Sequence, residues 1–445
     1  MRRSQLAGIL LVLILGVGTL TYFLVIETIS WGQILKISSD TTMGARNPTV
    51  TAENNTLYCA WEASSNGTSD IYLRSFNIES WSPIQKISQD YRNESQRNVQ
   101  IDVQDGEIYG VWASDRDEVF GDFDIYYRHF DGTAWGAETL ISEDNFTEWQ
   151  GYPVITVDNR CIHLAWVRAE NPWEVKGDED VQYKYFDGVL WHPEQAIGMN
   201  ATDLVSNRSQ SPIFGYKDNV PQGWPAITAE NGKIHIVWVE RYENDSDIFY
   251  TQFNGVNWLP KIELSQDKNH EMQLDPAIAV SKGKVHVVWA DNKDGDYDII
   301  YRSYDGSSWG KEIEISQDIL AELQQRPAIT AIGNRVYVVW EDYRNGDADI
   351  YGRYFNGIFW HLVKKVSSDD QKESQTHPAV AATNEAFHIV WMEARSGIYY
   401  RSFGLLKWEA FRVGFSIFAI WGIICVLILY KREKRHYHSG KTKEG

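Results

Sequence analysis

The chain has 445 residues, a net charge of -19, and 43% hydrophobic against 23% charged residues; this excludes wholesale disorder and argues against a nucleic-acid binder, which needs a basic surface. Three cysteines cannot build a disulfide framework. The 19 Trp and 24 Tyr against 5 Met favour β-structure, and the length calls for several domains or a repeat array.

At the N-terminus, residues 1–5 carry Arg2 and Arg3 and precede an apolar run at 6–26, long enough to cross a bilayer. No small-x-small cleavage site follows it, since the chain continues Tyr22-Phe23-Leu24-Val25-Ile26-Glu27. The run is therefore expected to stay as a transmembrane signal-anchor. A second apolar run at 411–430 is followed by a basic tail at 431–445 with a net charge of +4. Positive charge on the same side of both runs predicts a cell-membrane protein with two transmembrane helices, cytoplasmic termini and an extracytoplasmic middle. That middle holds seven N-x-S/T sequons, at Asn54, Asn66, Asn93, Asn145, Asn200, Asn207 and Asn244, as a glycoprotein exposed outside the cell would. Cys59 and Cys161 fall at different places in non-adjacent repeats and are expected to be buried free thiols; Cys425 lies in the second run.

Residues 31–408 are a repeat. Trp61, Trp112, Trp166, Trp238, Trp289, Trp340 and Trp391 follow one another at 51, 54, 72, 51, 51 and 51 residues. Each unit opens with a Pro-led apolar stretch such as Pro276-Ala277-Ile278-Ala279-Val280. A strand ending in the Trp follows, then an acidic loop and a third strand such as Asp298-Ile299-Ile300-Tyr301. An Asp-Gly or Asn-Gly turn (Asp131-Gly132, Asp187-Gly188, Asn254-Gly255, Asp305-Gly306, Asn356-Gly357) then leads to a second Trp and a fourth strand, a hairpin signal. Four short antiparallel strands in about 50 residues make a propeller blade.

The ends of the array settle its closure. Trp31-Gly32-Gln33-Ile34-Leu35-Lys36-Ile37-Ser38 reads like the fourth strand that begins at Trp309, yet it precedes the first complete unit, and the seventh unit has only three strands. The orphan is expected to complete the last blade of an all-β, seven-bladed β-propeller and leave no open edge. Third strands end and fourth strands begin on one face, so both apolar runs leave from that face and the opposite one points away from the membrane.

The Pro-led strand, the Trp-ended second strand and the segment Ser303-Tyr304-Asp305-Gly306-Ser307-Ser308-Trp309 resemble the repeats of sialidase-type propellers. Their Asp-box reads S-x-D-x-G-x-x-W, and here it is one residue shorter. The loop Asp291-Asn292-Lys293-Asp294-Gly295-Asp296-Tyr297-Asp298 is similar to repeats of TolB-type propellers. The resemblance implies a propeller; in sialidases it goes with six blades, three arginines, a Tyr–Glu pair and an acidic catalyst.

Comparing the units with one another separates scaffold from site. The two Trp positions recur and read as inter-blade packing. Asp70, Asp124, Asp180, Asp247, Asp298 and Asp349 start the third strands and are expected to cap their loops. The pattern Glu94 and Gln96, Glu271 and Gln273, Glu322 and Gln324 reads as loop scaffolding. No cofactor is expected; the alternative is calcium on Asp291, Asp294, Asp296 and Asp298.

One position varies instead. The residue before the strand-one Pro, or its equivalent, is in turn Asn47, Asn98, Tyr152, Trp224, Asp275, Arg326 and His377. These seven are the candidate ligand-binding residues, expected at the mouth of the central channel on the distal face and held extended by the following Pro. Aromatic rings beside amides, a carboxylate, a guanidinium and an imidazole suit a sugar. Arg46 and Arg97 lie one residue earlier, and an insertion of about 21 residues at 198–223 reads as a loop on the same face. No P-loop, HExxH or GxSxG occurs. The expected function is therefore a membrane-anchored, non-catalytic receptor or adhesion protein for a glycan or protein ligand. The alternatives are a glycoside hydrolase or lyase with Asp275 as acid or base beside Arg326 and His377, and a structural envelope component whose basic tail meets anionic lipid.

Overall fold

The structure, a computed structural model, describes residues 31–404 apart from short segments at 40–42, 66–67, 78, 90–93, 117–122, 144–147, 171–177, 198–221, 243–244, 267–270, 294, 318–321, 369–372 and 395. Both apolar runs, the basic tail, Cys425, Asp294, most of the long loop and every sequon except Asn54 lie outside the described residues. Among the described residues there is no helix, and so none long and apolar enough to cross a membrane.

The chain forms seven four-stranded antiparallel sheets. The first blade is Met43–Glu53, Thr56–Ser65, Thr68–Phe76 and Gln85–Lys86, and the next five repeat that order. The seventh joins Gln375–Ala382, Ala386–Glu393 and Gly397–Gly404 to the N-terminal Leu35–Lys36. The expected closure is present: Leu35 pairs with Tyr400 and Lys36 with Tyr399, and the Ile398 N–H donates to Ser38 Oγ at 2.9 Å. Each first strand packs on the first strands of both neighbouring blades, blade seven against blade one included. These seven strands line the channel. A second, smaller unit comprises 1–32 and 403–445; within it Trp31 and Phe403 form an antiparallel bridge with their rings 4.8 Å apart.

Second strands lie between neighbouring blades and read as continuous apolar runs. Lys284–Asp291, for example, is buried after its first residue. The seven strand-two Trp are 0–1% exposed. The second Trp of a blade packs edge-on against the third-strand Tyr of the preceding blade, as in Trp309 on Tyr250 and Trp360 on Tyr301, with centroids 5.0 and 4.9 Å apart. Three residues before the strand-two Trp, four blades place a buried His, whose Nδ1 meets a third-strand Tyr hydroxyl. The distances are 2.8 Å for His163–Tyr183 and His235–Tyr250, 2.7 Å for His286–Tyr301 and 2.8 Å for His388–Tyr400.

Asp349 meets its own loop, accepting from Asn345 Nδ2 at 3.2 Å, but three of the third-strand acids also reach further. Asp124, Asp247 and Asp298 accept from Ser142, Ser265 and Ser316 at 3.0, 3.1 and 2.9 Å. Each of these serines closes a fourth strand, and its Oγ also accepts a third-strand N–H. The acid thus locks strand three to strand four, which the loop reading did not anticipate. Asx capping is present in the hairpin turns, where Asp305 Oδ1 accepts from the Ser307 and Ser308 N–H at 2.8 and 2.9 Å. Gln324 and Gln375 are buried and donate to the Glu322 and Glu373 carbonyls at 2.6 and 2.7 Å, as loop scaffolding does. Cys59 is a buried free thiol, whereas Cys161, also free, is only half-buried.

Candidate functional site

At the start of each first strand the pairing to strand two slips. Around blade five, Leu274 pairs with Ala290 and Ala277 with Val288, so Asp275 and Pro276 together oppose Trp289. The same slip stands opposite the strand-two Trp in the other six blades. This is a β-bulge, two residues facing one, favoured where a Pro has no N–H to give the ladder. Blade two keeps it with Val99 in place of Pro. In every blade the first bulged residue is one of the seven candidates. They are not extended: φ is 50° at Asn47, 55° at Asn98, 51° at Tyr152, 45° at Trp224, 52° at Asp275, 49° at Arg326 and 53° at His377. The bulge overrides the preference that the following Pro would otherwise impose. A non-glycine residue in this left-handed region carries about 1–2 kcal/mol of strain, and here it recurs seven times around one channel.

The side chains divide into two arcs. In blades three and four the rim is aromatic. Tyr152 is 42% exposed and meets Trp149 edge-on at 5.6 Å, while Arg241 lies 4.2 Å over the Trp224 ring and pairs with Glu179 at 3.0 Å. These two blades alone place Gly before the rim residue. A Cβ on Gly151 would fall 2.4 Å from the Trp149 indole, and one on Gly223 2.8 Å from the Arg241 guanidinium.

In blades five to seven the rim is charged. The Arg326 N–H donates to Asp275 Oδ2 at 3.3 Å, and its guanidinium reaches both oxygens of Glu341 at 3.2 Å. Gln325 donates to Glu341 at 3.0 Å and the His377 N–H at 2.7 Å, with the His377 ring nitrogen Nδ1 3.9 Å away. Arg326 therefore ties two carboxylates together. Burial pushes the Asp275 carboxyl above the usual range; Arg326 pulls it back and Glu341 raises it further. Burial and Arg326 push the His377 imidazole down, against Glu341.

Glu341 was not among the candidates from the sequence. It follows the strand-two Trp directly, where five blades carry Ala113, Val167, Val239, Ala290 and Met392, and it has no exposed side-chain surface. Glu62 holds the same place in blade one, equally buried; Asn47 donates to it, and Arg46 lies 3.5 Å from it. Burial raises the Glu62 carboxyl, opposed by Arg46, Asn47 and Arg97. An acid at an otherwise apolar strand position was the available signal. Glu62 Oε2 and His377 Nδ1 are buried without a hydrogen-bond partner. Asn98 is half-buried on the same rim.

The described residues hold no group of three or more possible metal ligands. Asp291 accepts from Trp289 Nε1 and the Lys293 N–H at 3.2 and 3.1 Å, and Asp298 from Ser316. A pocket of about 340 Å³ lies away from the rim, between blades two and three, lined by Glu107, Tyr109, His129, Arg160 and Trp191 among others.

No family model and no curated protein matches the chain. Among solved structures it resembles the polysaccharide lyase Uly1, with a TM-score of 0.52 and 11% identity over 83% of this chain and 92% of that one. It also resembles a Trypanosoma rangeli sialidase (TM-score 0.44, 10% identity, 92% of this chain and 63% of that one). A puromycin-hydrolyzing peptidase of Mycobacterium tuberculosis matches with a TM-score of 0.48 and 10% identity; 82% of this chain covers 53% of that one, about half its length. At these identities the likeness concerns the fold: the chain is a β-propeller with sialidases and other propeller enzymes among its structural neighbours.

Proposed function

We propose that this chain is a membrane-anchored propeller of the cell surface, with both termini in the cytoplasm, whose channel mouth binds a saccharide. One observation carries the reading. Seven rim positions share one strained backbone conformation, yet hold six residue types, divided into an aromatic arc and a charged arc. Packing alone gives no reason for that division. A sugar does, because its apolar face stacks on Tyr152 and Trp224 while its hydroxyls meet Asp275, Arg326 and the amides of Asn47 and Asn98. Two of the unpartnered buried atoms, on Glu62 and His377, are further places for ligand hydroxyls. The test is a glycan array probed with the full-length protein in detergent. We expect a defined set of glycans to bind, with binding lost in the Trp224→Ala and Arg326→Ala double variant. Retention of the signal in that variant overturns the site.

A second reading, turnover of the bound saccharide by hydrolysis or elimination, is favoured by one feature of the charged arc. Asp275 is held toward its protonated form beside a second acid, Glu341, as a general acid requires. In this reading, product release from polysaccharides incubated with the protein disappears in Asp275→Asn. Binding without any product leaves the binding reading alone.

A further inference from the structure

Among the described residues, the four most exposed large apolar side chains are Ile358 at 83%, Val189 at 82%, Val256 at 77% and Leu362 at 71%. All four belong to hairpins joining third to fourth strands. Val189, Val256 and Ile358 occupy one place, directly after the turn Gly of blades three, four and six. Blades two and five put Thr133 and Ser307 there, so the turn itself does not require an apolar residue. The tips are also rigid. Asp187, Asn254 and Asn356 accept the N–H of Val189, Val256 and Ile358 at 2.8, 3.0 and 2.9 Å.

The seventh blade has no such hairpin. Its third and fourth strands come from opposite ends of the chain, so the chain enters at Gln33 and leaves at Ser402 where the hairpin would stand. Beyond these points the apolar runs at 6–26 and 411–430 begin after only a few residues, tethers that span about 30 Å at most when extended. Exposed Lys233, Lys282 and Lys284 lie in the first-to-second-strand turns of blades four and five, on this same end of the ring. The nearby Glu230 is occupied by the Lys282 and Gly283 N–H at 2.9 and 2.6 Å. Three rigid apolar tips spread around a ring define a plane, and the two tethers leave from that same end.

We propose that this face docks flat on the bilayer, with Val189, Val256 and Ile358 inserted at the headgroup boundary and the lysines meeting anionic lipid. The inference rests on the membrane-anchored reading above, and it adds that the propeller lies on the lipid and does not swing on its tethers.

The test uses the full-length chain with Cys161 and Cys425 replaced by Ser, in nanodiscs of phosphatidylcholine and phosphatidylglycerol containing spin-labelled lipid. An environment-sensitive fluorophore is attached in turn to Val189→Cys, Val256→Cys and Ile358→Cys, and as a control to Lys293→Cys in a second-to-third-strand loop on the opposite face. We expect the three tips to lose about half their emission to the lipid quencher and the control to lose none. Unquenched tips in a protein that withstands alkaline extraction overturn docking and leave anchoring standing. Quenched tips in a protein that alkali removes retain docking and overturn anchoring; failure on both counts removes both.

Discussion

Two sets of seven positions face each other across the bulges of this ring. In one set every blade places a Trp, buried to within 1% of its surface. In the other, every blade places a residue with φ between 45° and 55°, but the residue itself changes from amide to aromatic to acid to base. The first set shows what a repeat must keep, a bulky wedge between adjacent sheets. The second shows where a repeat is free to differ, because the backbone is already held by the wedge opposite. The wedge and the variable rim are one device, in which constant packing presents changeable chemistry at a fixed angle.

The two sets of seven separate most sharply when a wedge is removed. Trp289→Ala is expected to cost about 3–5 kcal/mol, read as a lower midpoint in urea unfolding; a loss below 1 kcal/mol would mean the Trp is dispensable packing. Next in size is the His three residues before the Trp. Burial, and then Lys284, depress the His286 imidazole from 6.5 to about 4. A depressed histidine contributes stability above its ordinary value and loses it as pH falls through the folded one. Between pH 6.5 and 4 the wild type should therefore lose about 3 kcal/mol more than His286→Gln, a difference that paired unfolding curves at the two pH values measure.

On the rim side, Glu341→Ala strips Arg326 of its counter-ion and leaves the His377 N–H unpaired. Because the Arg326 side chain is 44% exposed, the stability cost should be only about 1–2 kcal/mol, while saccharide binding falls by roughly tenfold or more. That stability cost with saccharide binding unchanged would make Glu341 a packing residue. The smallest effect isolates the backbone. At position 224 the left-handed conformation makes Gly better than Ala by about 1 kcal/mol, the reverse of their order in a regular strand. Trp224→Gly should therefore unfold later than Trp224→Ala, although both lose the ring.

Much of this was legible in the residues. The ring closure was readable because Trp31 to Ser38 repeats a fourth strand in a place where no blade was open to receive it, and Leu35 does pair with Tyr400. The hairpins were readable because Asp-Gly and Asn-Gly demand their turns. The rim positions were readable as variation among equivalents, but their conformation was not. A Pro after six of them argues for extended backbone, and only the paired strand shows that two residues oppose one. Glu341 and Glu62 were hidden for a related reason. Each is a single acid beside a Trp in an apolar strand, and their partners come from a different strand or the next blade. The serine partners of Asp124, Asp247 and Asp298 stay hidden because sequence proximity is visible and a serine 18 residues further on is not.

Closing the circle with residues from both extremities also sets the order of events at the ribosome. Ser38 waits for Ile398, 360 positions downstream, and at roughly 5–20 residues per second that wait lasts about 20–70 s. Throughout it the nascent arc has two bare rims able to pair with other chains. A premature stop shortly before Gly397 would thus release a nearly complete polypeptide that cannot shut. Rejoining the termini and cutting between any two blades should instead give a permutant that assembles with its seam elsewhere.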